Sequence, residues 1–329
     1  MKKASTPALS VVLATPGDYE MIRRTIGFLR AQTVVDTVEL VIVAPSKMSV
    51  PRGELGEFFS VKTLFVGPFE SCGMANAAGV RAARAPVVVL AEDHAFPDPD
   101  WAEVLIEAHG QDWAAVGPAV RNGNPRTRTS RADMLIGYGP WVEPVVGGEV
   151  DFLPGHNTSY KRSLLLEYGA DLDTMMEAET ILHWNLRAAG HRLRLEPRAR
   201  IAHLNFAQLG AFRDVHFNGG RMFATTRARH RHWSALGRWS FAAGVPLVPL
   251  VRLWRIVRSH PQASFSVFPI LVYGLTVDAL GQFCGCLFGA GDARAKLVRY
   301  EFDRVCYIES DWDSASVFSS DTRVSAETR

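Results

Sequence analysis

The sequence predicts an α/β fold, a mostly parallel sheet flanked by helices, followed by an apolar helical region. Three observations lead there. Apolar, β-branched runs of strand length alternate with helix-spaced segments over the first ninety residues; those runs are apolar on both faces; and the composition changes after about residue 207. The first run, LSVVLAT at residues 9–15, reads as a buried strand. Residues 18–31 follow with Met21, Ile22, Ile26, Phe28 and Leu29 at helical spacing, and Asp18 is placed to cap the helix. VELVIVAP (38–45) and VKTLFVG (61–67) read as further strands, CGMANAAGVRAARA (72–85) as a helix, and VVVLAE (87–92) as a strand buried on both faces. This βαβαβ order implies right-handed crossovers and parallel strands.

The last of these strands runs into Glu92, Asp93 and His94 before any turn residue. Ligands bind beyond the carboxyl ends of strands in open α/β sheets, so this cluster is a site candidate. A solvated strand exit before Pro97, Asp98 and Pro99 is the plainer alternative. Beyond Trp101 the pattern gives a helix (AEVLIEAH), a strand at 113–120, and a Gly-, Pro- and Arg-rich stretch to about Gly148 that reads as loop. Residues 151–169 give a short strand, a polar turn and a helix. A longer helix covers about 175–189 up to Gly190, and RLRLEPRARIAHL reads as one or two strands.

The chain has 329 residues, with 36 Lys and Arg against 34 Asp and Glu, a formal net charge of +2. The distribution says more than the sum. Between Arg187 and Arg258 there are fourteen arginines, no lysine, and two acids, Glu196 and Asp214. Such a stretch calls for an anionic partner or surface. Residues 235–257 are apolar but broken by Arg238, Pro246, Pro249, Arg252 and Arg255, whereas residues 263–290 carry the single charge Asp278. The second segment is long enough to cross a bilayer, although a charge near mid-depth is costly; interfacial helices in one leaflet, or a buried helix pair, also accommodate these segments. Basic residues beside them favour an anionic cytoplasmic leaflet. The Ser-, Asp- and Thr-rich end is expected to be a disordered tail. Cys72, Cys284, Cys286 and Cys306 form no CxxC pair, which argues against a zinc site or a disulfide framework and fits a reducing compartment. The amino-terminal apolar run is too short and too β-branched for a signal peptide.

From Leu9 to about Asn205 the order of motifs resembles the family 2 glycosyltransferases, inverting enzymes of the GT-A type with a Rossmann-like sheet. LSVVLAT is similar to the opening strand whose end, here Thr15 and Pro16, meets the nucleotide. GMANAAGVRAARAPVVVLAEDH resembles the Ala-Arg-Asn-x-Gly helix and the strand carrying an Asp-x-Asp metal motif, which implies donor contacts from Asn76, Arg81, Glu92 and Asp93. GHNTSYKR resembles the Gly-x-Asn-x-x-x-x-Arg segment of the acceptor side, implying roles for Asn157 and Arg162. AETILHWNLRAAGHRLRLEPRARIAHL resembles the closing helix and strand, ending on a histidine near the metal, here His203. The resemblance implies a nucleotide-sugar donor, a glycan or lipid-linked acceptor, and Mn²⁺ or Mg²⁺ as cofactor.

Chemistry gives independent reasons for several of these residues. A sugar-diphosphate leaving group needs its growing charge stabilised, which a divalent ion does. Glu92, Asp93 and His94 can hold one, and an imidazole ligand tilts the choice towards Mn²⁺. His94 stands where the family has a third acid, so Asp93, His94 and His203 are the candidate metal ligands. The acceptor hydroxyl must lose a proton on the far side of the sugar; the resemblance implies Glu179 as the base, since it lies eleven positions before Gly190 where the family has the second residue of its Glu-Asp pair, here Ala178-Glu179, with Glu177 its competitor. The family usually has an acid that reads the base or ribose after the second strand, where this sequence has Ala44, Pro45 and Ser46.

The expected division is a GT-A glycosyltransferase domain over 1–206, a basic and apolar membrane-associating region over 207–306, and a tail over 307–329. The expected activity is transfer of a sugar from a nucleotide diphosphate to a hydroxyl, on the cytoplasmic face of the cell membrane, in surface or secreted glycan assembly. A dehydrogenase or nucleotidyltransferase lacks its signals, since no GxGxxG follows the first strand and no GxxxxGK[ST] occurs. A non-catalytic or differently acting membrane-associated protein that kept the fold is the alternative suggested by the altered Glu-Asp-His and Ala-Glu motifs. Nucleic-acid binding has no recognition motif behind it.

Overall fold

Strands and helices alternate through the first ninety residues of the computed structural model, which describes residues 5–17, 19–263 and 265–308. The elements are β1 (Leu9–Ala14), α1 (Tyr19–Arg30), β2 (Val38–Ala44), β3 (Ser60–Phe65), α2 (Cys72–Ala82) and β4 (Val87–Ala91). The cap expected at Asp18 and the tail beyond residue 308 lie outside the described residues. β1 pairs parallel with β2 on one side and β4 on the other, and β3 extends the sheet parallel to β2. Nearly every β1, β2 and β4 residue is buried, as strands covered on both faces require. Gly79 of α2 is placed so that a Cβ would lie 2.3 Å from Val12 Cγ1, so the helix packs this closely on β1 because glycine is there.

The chain continues through β5 (Ala95–Pro97), α3 (Trp101–Ala108), β6 (Ala115–Asn122), α4 (Arg128–Tyr138), β7 (Gly148–Val150), β8 (Ser159–Lys161), α5 (Arg162–Leu166), α6 (Leu172–Met176), α7 (Glu179–Ala188) and β9 (Leu193–His203). The sheet runs β3-β2-β1-β4-β8-β6-β9-β5, with β7 also on β9. It is mixed: β8 is antiparallel to both β4 and β6, and β5 and β7 are antiparallel to β9. Two expectations change. The stretch read as loop contains α4, started by Thr127, whose hydroxyl accepts from Ser130 N. Arginines and glycine hide its apolar side in the sequence, and the buried Ile136 finds its partner more than a hundred residues away at Gly274. The helix expected over 175–189 is broken at Glu177–Ala178 into α6 and α7, which turns Glu179 into the first residue of a new helix.

The last third is helical: α8 (Leu209–His230), α9 (Ala235–Gly244), α10 (Val248–Ser259), α11 (Phe268–Phe288) and α12 (Ala293–Phe302). Two stretches, Ala235–Ser259 and Phe265–Phe288, are long and apolar enough to cross a membrane. α11 packs along α8 at close range. A Cβ on Gly281 would lie 2.0 Å from Phe217 O, one on Gly285 2.2 Å from Arg221 O, and one on Gly220 2.3 Å from Asp278 O. Small residues thus let the two backbones approach, as at tight helix pairs in lipid. The charge that looked costly, Asp278, accepts hydrogen bonds from Arg252 Nη1 at 2.9 Å and Gln282 Nε2 at 2.6 Å. α8 is fastened to α4 through buried Asp133, which accepts from Phe206 N at 2.8 Å and lies 2.9 Å from His216 Nε2.

Adding a methyl group to that seam forces the helices apart. Gly281→Ala is expected to destabilise the fold by about 1–3 kcal/mol, the usual cost of overpacking, whereas Gly244→Ala, with open space around it, is not. Thermal unfolding in neutral detergent measures both; equal melting temperatures for the two variants would contradict the close packing.

Candidate functional site

The site is assembled by two strand pairings. β5 runs antiparallel to β9 with Ala95 opposite His203, and Leu204 N donates to His94 O at 3.0 Å, so His94 and His203 are brought side by side from 109 positions apart in sequence. Their rings lie 5.0 Å apart, edge to face. On the other flank, Asn157 N donates to Leu90 O at 2.7 Å, which holds the loop 155–158 against the end of β4. Thr25 of α1 donates from its hydroxyl to Asp93 O at 2.8 Å and fixes the strand exit from behind. Gln32 clamps the next turn: its amide donates to Asp98 O at 2.9 Å and its carbonyl accepts from Ala102 N at 2.9 Å.

Glu92 is the centre of the result. One of its oxygens lies 3.4 Å from His94 Nε2 and 3.2 Å from His156 Nδ1; the other lies 3.5 Å from His203 Nε2 and accepts from Asn157 Nδ2 at 3.3 Å. Glu92, His94 and His203 are buried and offer ligand atoms that all lie within 4.8 Å of one another. The two imidazoles are oriented alike. His94 Nδ1 is 2.7 Å from Asp93 Oδ1, and His203 Nδ1 is 3.1 Å from Asn205 Oδ1. Each acceptor is placed to hold an Nδ1 proton, which leaves Nε2 directed towards Glu92. Buried His94 Nε2 has no hydrogen-bond partner among the described residues. The carboxylate facing these two Nε2 atoms calls for positive charge between them, from a proton or from a divalent ion in its place, so the residues fit a divalent ion. A carboxylate with two imidazoles suits Mn²⁺ better than Mg²⁺.

The electrostatics differ between the two histidines. Burial opposes charge on His94, but Glu92 beside it outweighs that and lifts its pKa to about 9. For His203 burial prevails over the same carboxylate, and the pKa falls to about 4; Tyr138 Oη lies 3.0 Å from its Nε2. Burial alone raises a carboxyl pKa, yet the charges on His156 and His94 hold Glu92 well below the usual range. Glu179 goes the other way: burial raises it above its ordinary value, with His156 opposing.

The expected residues divide into two groups. Asn76, Glu92, Asp93 and His94 line one cleft with Cys72, His156 and Glu301. Glu177 and Glu179 line its continuation, which shares Cys72, His156 and Glu301. A Cβ on Gly155 would fall 2.8 Å from Glu179 Oε2, so glycine there makes room for the carboxylate. Asp93 stands behind His94 rather than among the clustered ligand atoms, and Glu177 is drawn into an ion pair with Arg294 at 2.9 Å. Asn157 sits at φ 58° with its amide on Glu92. Thr15 and Pro16 follow the end of β1, where the buried Thr15 hydroxyl has no partner among the described residues.

Two arginines lie elsewhere. Arg81 pairs with Asp173 at 2.7 Å and donates to Gly169 O, while Arg162 donates to Val80 O and Arg81 O at 2.9 and 3.0 Å, satisfying carbonyls at the end of α2. Sequence reasoning missed His156, Tyr138, Asn205, Glu301 and Arg304. His156 adjoins Asn157 in the quoted GHN and was legible there; the others reach the site through packing with no local signal.

The sequence profile described as Glycosyl transferase family 2 matches residues 56–169. Among curated proteins no match is found. Among solved structures the chain is similar to GalNAc-T7 crystallised with UDP, GalNAc and Mn²⁺, at 14% identity and a TM-score of 0.45 over 61% of this chain and 44% of that one. It is also similar to S. aureus TarS 1-349 in complex with UDP-GlcNAc, at 14% identity and a TM-score of 0.41 over 87% of this chain and 91% of that one. The chain thus spans less than half the length of the first of these relatives.

Asp93 orients His94 from behind the cluster, and removal of such a supporting carboxylate usually costs about 10- to 100-fold in metal affinity. Asp93→Asn is expected to weaken Mn²⁺ binding by that factor in calorimetric titration. Unchanged affinity would contradict the arrangement.

Proposed function

With residues 56–169 matching the glycosyl transferase family 2 profile, we propose that the protein transfers a sugar from a nucleotide diphosphate donor to a hydroxyl acceptor, with inversion. The observation that carries this reading is the cleft lined by Glu92 and His94 towards one end, with buried His203 clustered against them, and by Glu179 in its continuation, which shares Cys72, His156 and Glu301. Glu92, His94 and His203 would hold a divalent ion, which would supply positive charge to the departing diphosphate. Asn76 lines the donor end, and Thr15 follows β1 at the carboxyl edge of the sheet, where nucleotides bind in α/β folds. The acceptor oxygen attacks the anomeric carbon as the bond to the diphosphate breaks, and Glu179 takes the hydroxyl proton. Its raised pKa makes it a stronger base than an ordinary glutamate. His156, between Glu92 and Glu179, holds its proton because both carboxylates raise its pKa against the pull of burial, and it lends positive charge to the centre of the cleft. Asn157 keeps Glu92 in place.

The setting we propose is the cytoplasmic face of the cell membrane, in assembly of a surface or secreted glycan with a glycan or lipid-linked acceptor. Its support is the apolar surface of the last third. α10 buries Ile256 and leaves Leu250, Trp254 and Val257 exposed, next to exposed Arg255 and Arg258. Trp239 of α9 and Phe265 are 61% and 94% exposed. Aromatic and basic residues beside an apolar face are what a helix lying in a membrane interface carries.

Glu179→Gln is expected to lower the transfer rate by about 10²- to 10⁴-fold, the range for loss of a general base, while leaving donor affinity within about two-fold. A base must be ionised, so the wild-type rate falls as pH drops through the Glu179 pKa. Because that pKa is raised, the acid limb lies above the usual glutamate value of about 4.3. Normal turnover by the variant would remove Glu179 as the base, and donor binding without transfer by the wild type to any hydroxyl acceptor would favour the non-catalytic alternative.

A further inference from the structure

Two features of the helical third are absorbed by neither the cleft nor the general apolar surface. The first is a cavity of about 650 Å³ between α8, α11 and α12, with Arg213, Lys296 and Arg299 on its walls and Phe217, Val277 and Leu280 as its apolar floor. Asp214, the acid lining it, is already engaged: it accepts from Tyr300 Oη at 2.7 Å and pairs with Arg213 at 2.7 Å. Arg299 makes no ion pair among the described residues, and Lys296 holds an exposed one with Asp292 at 3.0 Å. The side chains lining the cavity carry three positive charges and one negative, a net of +2.

The second is an apolar groove of about 550 Å³ between α11 and the α9–α10 stretch, lined among others by Leu250, Leu253, Val272, Leu275 and Phe283. Leu280 lines both spaces. A positive cavity and a greasy groove therefore meet at one side chain of a helix apolar enough to enter a membrane. Their sizes fall in the range of about 300–1,000 Å³ in which small ligands are held.

We propose that the two together bind one anionic phospholipid, its phosphate against Arg213, Lys296 and Arg299 and an acyl chain in the groove past Leu280. Basic pockets between membrane-associated helices take phosphate headgroups, and arginine offers phosphate a planar pair of donors. The site is separate from the transfer chemistry. On α12, Arg294, Leu297, Val298 and Glu301 share the face that lines the cleft, whereas Lys296, Arg299 and Tyr300 occupy the opposite face. The lipid would thus seat α12, whose inner face borders the catalytic cleft. The proposal rests on the membrane-surface reading of the helices and is independent of whether the cleft transfers sugar.

The experiment uses the whole protein in a neutral detergent with dihexanoyl phosphatidylglycerol, dihexanoyl phosphatidylcholine and inorganic phosphate as probes, read by thermal unfolding and by titration. The anionic lipid is expected to raise the melting temperature and to bind about ten-fold tighter than the zwitterionic one, while phosphate alone gives no response. Arg299→Gln with Lys296→Gln should remove that preference, and Leu250→Asp should weaken both lipids; all three side chains are exposed, so the fold tolerates the changes. Lys62→Gln, exposed on β3 and away from the helical third, should alter nothing. Equal binding of the two lipids, a full response to phosphate alone, or unchanged lipid affinity in the Arg299/Lys296 or Leu250 variants would overturn the proposal.

Discussion

The antiparallel pairing of β5 with β9 is the constraint on which the site depends. β5 is three residues long, yet its register sets Ala95 against His203, and with it His94 beside His203 and both around Glu92. A slip of one residue would turn each side chain to the other face of the sheet and dissolve the cluster. The register is held from several sides. His94 O accepts from Leu204 N, Gly123 N donates to His203 O, and Asp98 N donates to Arg200 O. Beyond β5, Asp98 ties Arg121 and Arg200 by ion pairs, so the turn that ends the strand is anchored on β6 and β9. These bonds lie in a buried setting where each is hard to replace with water, which makes the geometry stiff.

Around that pairing the charges arrange themselves. Three imidazoles surround one buried carboxylate, and burial penalises all four charged forms. The network answers by keeping His203 neutral while Glu92 stays ionised between His94 and His156. Such a balance is sensitive to any further cation, because a metal displaces the proton that otherwise holds a ligand's lone pair. Arg304 adds to it from the carboxyl-terminal end, buried over the Phe206 ring at 4.2 Å and paired with Glu301. The helical third is therefore joined to the sheet both electrically and by packing. α12 borders the cleft with Glu301 and Phe302, and Phe302 meets Phe69 at a ring separation of 5.1 Å.

Much of this was legible in the sequence wherever the signal is local. The buried strands announce themselves as unbroken apolar runs, and the charged exit at Glu92 to His94 marks the ligand edge. The chain order of strands 1 to 4 followed from their spacing. What escaped was set by distance. α4 finds much of its packing on α11, which lies over a hundred residues later, so its own arginines and glycine disguised it. Asp93 was singled out as a carboxylate at a strand end; it lines the cleft, and the β5 pairing sets its carboxylate 2.7 Å from His94 Nδ1 while His94 Nε2 faces Glu92. Arg81 and Arg162 were singled out by motif position; what the sequence did not show is that their side chains join α2 to the α5–α6 region and close its carboxyl end. Asp278 looked costly in isolation, and its partner Arg252 comes from the neighbouring apolar stretch.

The account turns on a divalent ion held between Glu92, His94 and His203. Anomalous diffraction at the manganese edge, from crystals of the whole chain equilibrated with Mn²⁺ and a nucleoside diphosphate, tests it directly. The expected result is one strong peak at about 2.0–2.3 Å from a Glu92 oxygen and from Nε2 of both histidines, with Asp93 still on His94 Nδ1. A peak coordinated by Asp93 with His94 turned away, or none in the cleft while the diphosphate is bound, would contradict it.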